Sequence, residues 1–156
     1  MLVALLVGGA GTRLYPLTAY VPKCMIPIGG KLVIDHVIEY LKKHGLKDIV
    51  LLVSKDDCDV FKNYLGGGDR HAVSIRYSVA PRIGTAGALN AARKYFDSTL
   101  IVYYGDVLTD LNLSDMINFH FKKRSICTIA LSRSVPIDYG LAKVGRGGKV
   151  LGFEEK

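Results

Sequence analysis

Apolar positions along this chain follow two periods that alternate. Leu2-Val3-Ala4-Leu5-Leu6-Val7 is a continuous apolar run ending in glycines, the pattern of a central parallel strand covered on both faces. Helical spacing follows over Leu32-Val33-Ile34-Asp35-His36-Val37-Ile38-Glu39-Tyr40-Leu41, with Gly45 as the stop. Asp35 and His36 are predicted on the polar face of this helix, without chemistry. Asp48 to Val53 reads as a second strand and Lys55 to Leu65 as a weaker helix broken by Gly66-Gly67-Gly68. Val73 to Val79 alternates apolar and polar residues, which predicts a strand with one exposed face.

The same alternation continues downstream. Thr85 to Phe96 is predicted helical, with Ala86, Ala88, Leu89, Ala91 and Ala92 packing closely on the sheet. Thr99 to Tyr103 is predicted as a central strand that delivers Gly105-Asp106 to its carboxyl end. A helix from Leu113 or Ser114 to Lys123 comes next, then a strand from Ile126 to Ser132. Leu141 to Val144 and Val150 to Glu155 form a β-hairpin around Gly145-Arg146-Gly147-Gly148. Strands alternating with helices predict an α/β protein: a Rossmann-like, open and mostly parallel sheet, helices on both faces, and a β-hairpin near the C-terminus. Residues 1–156 are read as one domain.

Composition narrows the class. Of 156 residues, 49% are hydrophobic and 22% charged, which describes a globular chain rather than a disordered one. The first apolar run has no Lys or Arg ahead of it and is short for a signal peptide, and no segment approaches the roughly 20 apolar residues of a membrane span. A cytoplasmic location is expected, with no membrane partner. Cys24, Cys58 and Cys127 are odd in number and scattered, without C-x-x-C spacing, so buried or neutral thiols are expected rather than disulfides or zinc. A net charge of +7 favours anionic partners. Lys42-Lys43 and Lys122-Lys123-Arg124 fall in last helical turns, where cations suit the helix dipole, and no basic run is interleaved with aromatics. Nucleic acid is therefore not expected as a partner.

The loop after the first strand holds the candidate chemistry. Gly8, Gly9 and Gly11 let the backbone approach a ligand without a Cβ in the way, so that successive N–H groups can form an anion-binding nest, and Arg13 and Lys23 add full charges. Two glycine-rich phosphate loops are excluded by spacing. A P-loop needs Gly-Lys-Ser/Thr, and Arg13 follows Thr12; a dinucleotide fingerprint would put its third glycine at Leu14, with Pro16 stopping the helix. Asp106, a carboxylate after a buried strand, reads as a turn or cap residue or as a ligand for a hard cation.

Gly8-Gly9-Ala10-Gly11-Thr12-Arg13-Leu14-Tyr15-Pro16-Leu17-Thr18, followed by Pro22-Lys23, resembles the G-G-x-G-T-R-L-x-P-L-T…P-K signature of sugar-phosphate nucleotidylyltransferases. The variant with Val7 before the glycines is most similar to mannose-1-phosphate guanylyltransferases; thymidylyl- and uridylyltransferases for glucose 1-phosphate are close relatives. The resemblance implies nucleotidyl transfer from a nucleoside triphosphate to a sugar 1-phosphate with release of pyrophosphate. It assigns Gly8, Gly9, Gly11, Thr12, Arg13 and Lys23, with Leu6 on the strand before them, to the nucleotide. Arg13, Lys23 and Asp106 would be catalytic, with Asp106 binding Mg²⁺. Gly84-Thr85-Ala86-Gly87-Ala88-Leu89 looks like the string that lies against the nucleobase. Relatives often place Glu or Gln before the proline of that loop, where this chain has Ala80, and Pro81-Arg82-Ile83-Gly84 is one residue longer than the guanylyltransferase pattern, so base identity stays open. Tyr139-Gly140 and Phe153-Glu154-Glu155-Lys156 resemble sugar-binding elements, giving Gly140, Glu155 and Lys156 to the sugar phosphate. In the family the domain continues past F-x-E-K-P and supplies a second metal-binding aspartate, so the chain reads as the N-terminal part of the domain. Asp110, Asp115 and Asp138 are substitutes by residue type alone. A binding homologue without catalysis is the other reading, and self-association is left open.

Overall fold

The computed structural model describes residues 1–131 and 141–154, and the chain divides into two compact units, Met1–Ser114 and Asp115–Lys156. In the first unit β1 (Leu2–Leu6), β4 (Asp48–Ser54), β5 (Ser74–Ala80) and β6 (Leu100–Tyr104) form a parallel sheet in the order β5-β4-β1-β6. Leu2 pairs with Asp48 on one side and Leu100 on the other, and Asp48 pairs with Ser74. A small antiparallel pair, β2 (Pro27–Ile28) and β3 (Lys31–Leu32), leads into α1 (Val33–Lys43).

Helices cover both faces. Val33, Ile34, Val37, Ile38 and Leu41 recur at helical spacing on α1 and are buried, each such side chain contributing about 1.5–3 kcal/mol when fully removed from water. Tyr40 of α1 meets the ring of Tyr103, which pairs with Leu5, so α1 lies over the face that carries Leu5. Tyr77 pairs with Leu51 on that face and donates its hydroxyl to the Gly66 carbonyl, just past α2 (Cys58–Leu65). On the opposite face Leu2, Ala4, Val50 and Leu52 pack with Ala92, Ala88 and Leu89 at and beyond the end of α3 (Gly84–Ala91). The continuous apolar run of β1 follows from this double covering.

α1 ends as its sequence predicts. Gly45 takes φ 74°, its N–H bonds the Lys42 carbonyl, and the Leu46 N–H reaches back to Leu41. β5, at the sheet edge, keeps the predicted alternation only in its first half: Ile75 is buried and Tyr77 half-buried between exposed Ser74 and Arg76, but Val79 is exposed while Ser78 and Ala80, on the other face, are buried.

Three expectations need correction. Asp35 is not on an exposed polar face: it is buried, and its Oδ2 accepts from the Tyr64 hydroxyl at 2.7 Å and from the Leu32 N–H at 3.3 Å. His71 Nε2 lies 3.3 Å from Asp35 Oδ1. A buried carboxylate needs such partners, and they come from α2 and the turn after it, which helical periodicity does not reveal. Ala86 and Ala91 are exposed rather than packed on the sheet, because Ala88, Leu89 and Ala92 form the sheet-facing side of α3 and Ala86 and Ala91 lie round the helix from it; α3 stops at Ala91 and a 3-10 turn, Arg93–Tyr95, follows.

The third correction falls in the second unit. Residues 126–131 form no strand, and Ile126, Ile129 and Leu131 are exposed. β composition alone does not make a strand; its N–H and C=O rows need a neighbour, and among the described residues none pairs with this segment. The unit otherwise contains most of α4 (Leu113–Lys123), whose His120 bonds Thr128 at 2.9 Å, and the expected hairpin of β7 (Leu141–Val144) and β8 (Val150–Glu154). Among the described residues no helix is long and apolar enough to cross a membrane.

Candidate functional site

Topology places the site. From β1 the chain builds outward through β4 to β5 and then returns to the other side of β1 as β6, so the strand order reverses between β1 and β6. Crevices at the carboxyl ends of strands at such a reversal are where open α/β sheets bind ligands. Gly8 to Gly11 leave β1 at this point, and Gly105-Asp106 leave β6 beside them, tied by a 2.8 Å bond from the Gly105 N–H to the Leu6 carbonyl.

Lys23 and Asp106, 83 positions apart in sequence, form an ion pair here. Three close approaches hold them. A Cβ on Gly9 would stand 3.5 Å from Lys23 Cε, so the glycine backbone lies against the lysine. Gly11 sits at φ 64°, and its carbonyl accepts a 2.9 Å bond from the Thr18 hydroxyl, which folds the 12–18 segment back on the loop. A Cβ on Gly105 would come within 2.6 Å of Val7 Cγ1 and 3.4 Å of Cys24 Sγ, so only glycine lets the Asp106 turn pack under β1. The Tyr103 hydroxyl donates to the Val107 carbonyl at 2.9 Å, and the Tyr40 hydroxyl to Leu111, pinning the segment after Asp106 from below.

Burial and charge shape the surroundings. Cys24 is wholly buried under Lys23, and burial, with the Asp106 and Asp57 carboxylates adding to it against Lys23, pushes its thiol up to about 12. It is therefore a neutral packing group rather than a nucleophile. Burial likewise pushes the Tyr103 phenol up to about 12, so it stays a donor.

The remaining assigned residues fall into place as follows. Leu6 is half-buried at the end of β1, and Gly8 is wedged against β4, where a Cβ would meet the Ser54 nitrogen at 3.3 Å. Thr12 and Arg13 are exposed in a 3-10 turn, and Arg13 stays outside the Lys23–Asp106 pair. Gly84, Thr85 and Ala86 open α3 and are exposed; Gly84 takes φ 76°, and the Thr85 hydroxyl is 3.4 Å from that of Tyr104 on β6. Gly140, Glu155 and Lys156, with Tyr139 and Asp138, lie outside the described residues.

Sequence reading missed a second acid–base pair. Asp57 accepts from the Ser54 hydroxyl at 2.6 Å and from Arg82 Nη2 at 3.1 Å, and Arg82 Nη1 is 3.7 Å from Asp56. The available signal was position: Ser54 and Ala80 pair at the carboxyl ends of β4 and β5, the edge where the glycine loop lies. For a metal, Asp106 is the exposed carboxylate at the crevice. Among the described residues no three His, Cys, Asp or Glu side chains cluster to hold an ion alone. One carboxylate fits a cation such as Mg²⁺, which commonly takes one or two protein carboxylates and completes its shell with substrate phosphates and water.

A glycine loop at the reversal of a parallel sheet, flanked by a lysine–carboxylate pair, defines an α/β protein with its crevice where open sheets take their ligands. Comparison with known proteins makes this specific: the nucleotidyl transferase family profile matches residues 2–156, and the chain belongs to that family. It is 35% identical over its whole length to a UTP–glucose-1-phosphate uridylyltransferase of Synechocystis sp., and 33% identical over 97% of its length to a mannose-1-phosphate guanylyltransferase of Mycobacterium tuberculosis. It spans 44% and 43% of those two relatives, less than half of each. Among solved structures it is similar to HddC from Yersinia pseudotuberculosis complexed with GMP-PN, with a TM-score of 0.76, 26% identity and coverage of 99% of this chain and 69% of that one.

Proposed function

We propose that this chain carries the nucleotide half of a site that transfers a nucleotidyl group from a nucleoside triphosphate to a sugar 1-phosphate. A phosphate oxygen of the sugar 1-phosphate attacks the α-phosphorus in line; the new P–O bond forms as the α–β bridging P–O bond breaks, and pyrophosphate leaves. Two anions must meet, so positioning and charge neutralisation dominate, and no protein nucleophile is needed. The N–H groups of Gly9, Gly11 and Thr12, with Arg13, bind the triphosphate, Lys23 neutralises the α-phosphate, and Leu6 with Gly84, Thr85 and Ala86 borders the nucleoside. Asp106 would hold Mg²⁺, which when bound screens the phosphate charge. Gly140, Glu155 and Lys156 are assigned to the sugar phosphate.

The observation that carries this reading is the Lys23–Asp106 pair set against Gly9, a cation and a carboxylate delivered to one glycine loop from opposite sides of the sheet reversal. Transfer of GMP to mannose 1-phosphate is the preferred pair. It is supported by the Val7-Gly8-Gly9 variant of the signature and by likeness to the M. tuberculosis guanylyltransferase. Uridylyl transfer to glucose 1-phosphate is the second reading, supported by the Synechocystis relative. The protein works in the cytoplasm, free of membrane and nucleic acid, and self-association is open. The test is pyrophosphate release in Mg²⁺ with GTP, UTP or dTTP paired with mannose or glucose 1-phosphate. Turnover of one pair that is lost in Lys23→Ala and Asp106→Asn supports the enzyme. Triphosphate binding without turnover of any pair replaces it with a binding homologue, and affinity unchanged in Lys23→Ala and Arg13→Ala refutes the phosphate site.

A further inference from the structure

Arg82 is an exposed cation on the nucleotide edge of the sheet that the proposed reaction does not use, and the structure fixes where its guanidinium points. Asp57 holds Nη2 at 3.1 Å. Asp57 is itself fixed: its Oδ2 accepts from the Ser54 hydroxyl at 2.6 Å, its N–H donates to Ser54 Oγ at 3.3 Å, and its side chain is only 15% exposed. Ser54 in turn packs against Gly8 at the root of the glycine loop. The guanidinium is thus tethered through two contacts to the loop assigned to the triphosphate. The next residue in the loop, Ile83, has an exposed side chain that lies against Gly87, and Gly84 leaves open space where a side chain would stand. A loop that offers an apolar side chain, open space and a planar donor in consecutive residues suits a flat, polar-edged ring.

Resting on the nucleotidyl-transfer reading, we propose that Arg82, aimed by Asp57, is a specificity-determining residue for the base and selects guanine. Arginine offers five N–H donors and no acceptor. Asp57 takes one N–H of Nη2 and Asp56 Oδ2 stands 3.7 Å from Nη1, which leaves Nε–H and the remaining Nη N–H groups as donors for a partner with two adjacent acceptors. Guanine presents O6 and N7 side by side; adenine puts an amino group beside N7, and uracil separates its two carbonyls with an N–H. Ala80 at the end of β5 is small and buried, and Arg82 is the polar side chain that 80–84 offers.

The test is equilibrium binding of GTP, 7-deaza-GTP, ATP and UTP to the 156-residue chain in Mg²⁺, for wild type, Arg82→Ala and Asp57→Asn. Arg82→Ala is expected to weaken GTP about tenfold to hundredfold while UTP and ATP move within about twofold, as for loss of a bidentate arginine–guanine contact. 7-Deaza-GTP, lacking the N7 acceptor, should bind wild type less tightly than GTP and be less sensitive to Arg82→Ala. Asp57→Asn should fall between wild type and Arg82→Ala; if it unfolds, Arg82→Gln, on an exposed side chain, replaces it. Equal loss for all bases makes Arg82 a phosphate contact and overturns the proposal, as does a wild type that prefers UTP or ATP. Absence of binding to any triphosphate instead overturns the nucleotidyl-transfer reading, and this proposal with it.

Discussion

Replacing Gly11 by alanine tests how the signature loop is built. The residue sits at φ 64°, where a Cβ costs about 1 kcal/mol from backbone strain alone. The new Cβ would also lie 2.7 Å from Thr18 Cγ2 and 3.3 Å from Thr18 Cβ, and overpacking of this kind costs about 1–3 kcal/mol. The expected loss for Gly11→Ala is therefore about 2–4 kcal/mol, or roughly 4–16 °C in Tm for a chain of this size. The two parts can be separated, because the clash is with a methyl group. Thr18→Ser deletes that methyl and keeps the hydroxyl that donates to the Gly11 carbonyl at 2.9 Å. In the double variant the steric part should return and the backbone part should remain, leaving a loss of about 1 kcal/mol against Thr18→Ser alone. Urea denaturation of the four proteins measures this coupling. If Thr18→Ser restores nothing, or Gly11→Ala is neutral, the close packing of the 12–18 segment on the loop is wrong.

Gly105→Ala should destabilise by about 1–3 kcal/mol, because the new methyl meets Val7 Cγ1 at 2.6 Å and the Leu6 carbonyl at 3.2 Å; denaturant titration checks it, with Val7→Ala as the relieving partner. Tyr64→Phe removes a 2.7 Å donor from the buried Asp35 carboxylate and should cost about 1.5–3 kcal/mol in the same assay, the range for a hydrogen bond to a charged group. Alkylation under native conditions should label the exposed Cys127 first, with Cys24 and Cys58 protected until denaturant is added, as mass spectrometry would read. Cys24 and Tyr103 have folded pKa values raised to about 12 from 9.0 and 10.0, so their contribution is full below pH 9 and is lost as pH climbs towards 12; the urea midpoint should fall over that window, less steeply in Cys24→Ala.

Much of the fold was legible because strand and helix periods differ and because both faces of the sheet are covered. The apolar run of β1 and the glycine stop of α1 each follow from local pattern. What pattern could not supply was partnership. Residues 126–131 have the composition of a strand and no described neighbour to pair with, and Asp35 has the spacing of a solvated face but meets Tyr64 and His71 from later elements. The glycine loop was legible as a candidate site because its residues are consecutive in sequence. Arg82 and Asp57 were not, since neither belongs to a motif and their pairing depends on β4 and β5 ending side by side.

The loop to which the proposed reaction assigns phosphate is bordered by two carboxylates, which by themselves would repel that anion. Each has its own cation: Lys23 for Asp106 and Arg82 for Asp57. Exposure separates the pairs. The Asp57 side chain is 15% exposed and bonded to Ser54 as well as to Arg82, so breaking that pair would strand a half-buried charge. Asp106 and Lys23 are 30% and 26% exposed, in reach of solvent, and can change partners at lower cost. In the proposed reaction an incoming triphosphate and its metal offer those new partners together, phosphate for Lys23 and cation for Asp106. Neither charge then needs to be left alone, whereas phosphate without a metal would take Lys23 and leave Asp106 facing it. In that reaction the Lys23–Asp106 pairing therefore favours arrival of nucleotide and metal as one unit, while the Asp57–Arg82 pair stays fixed as a wall.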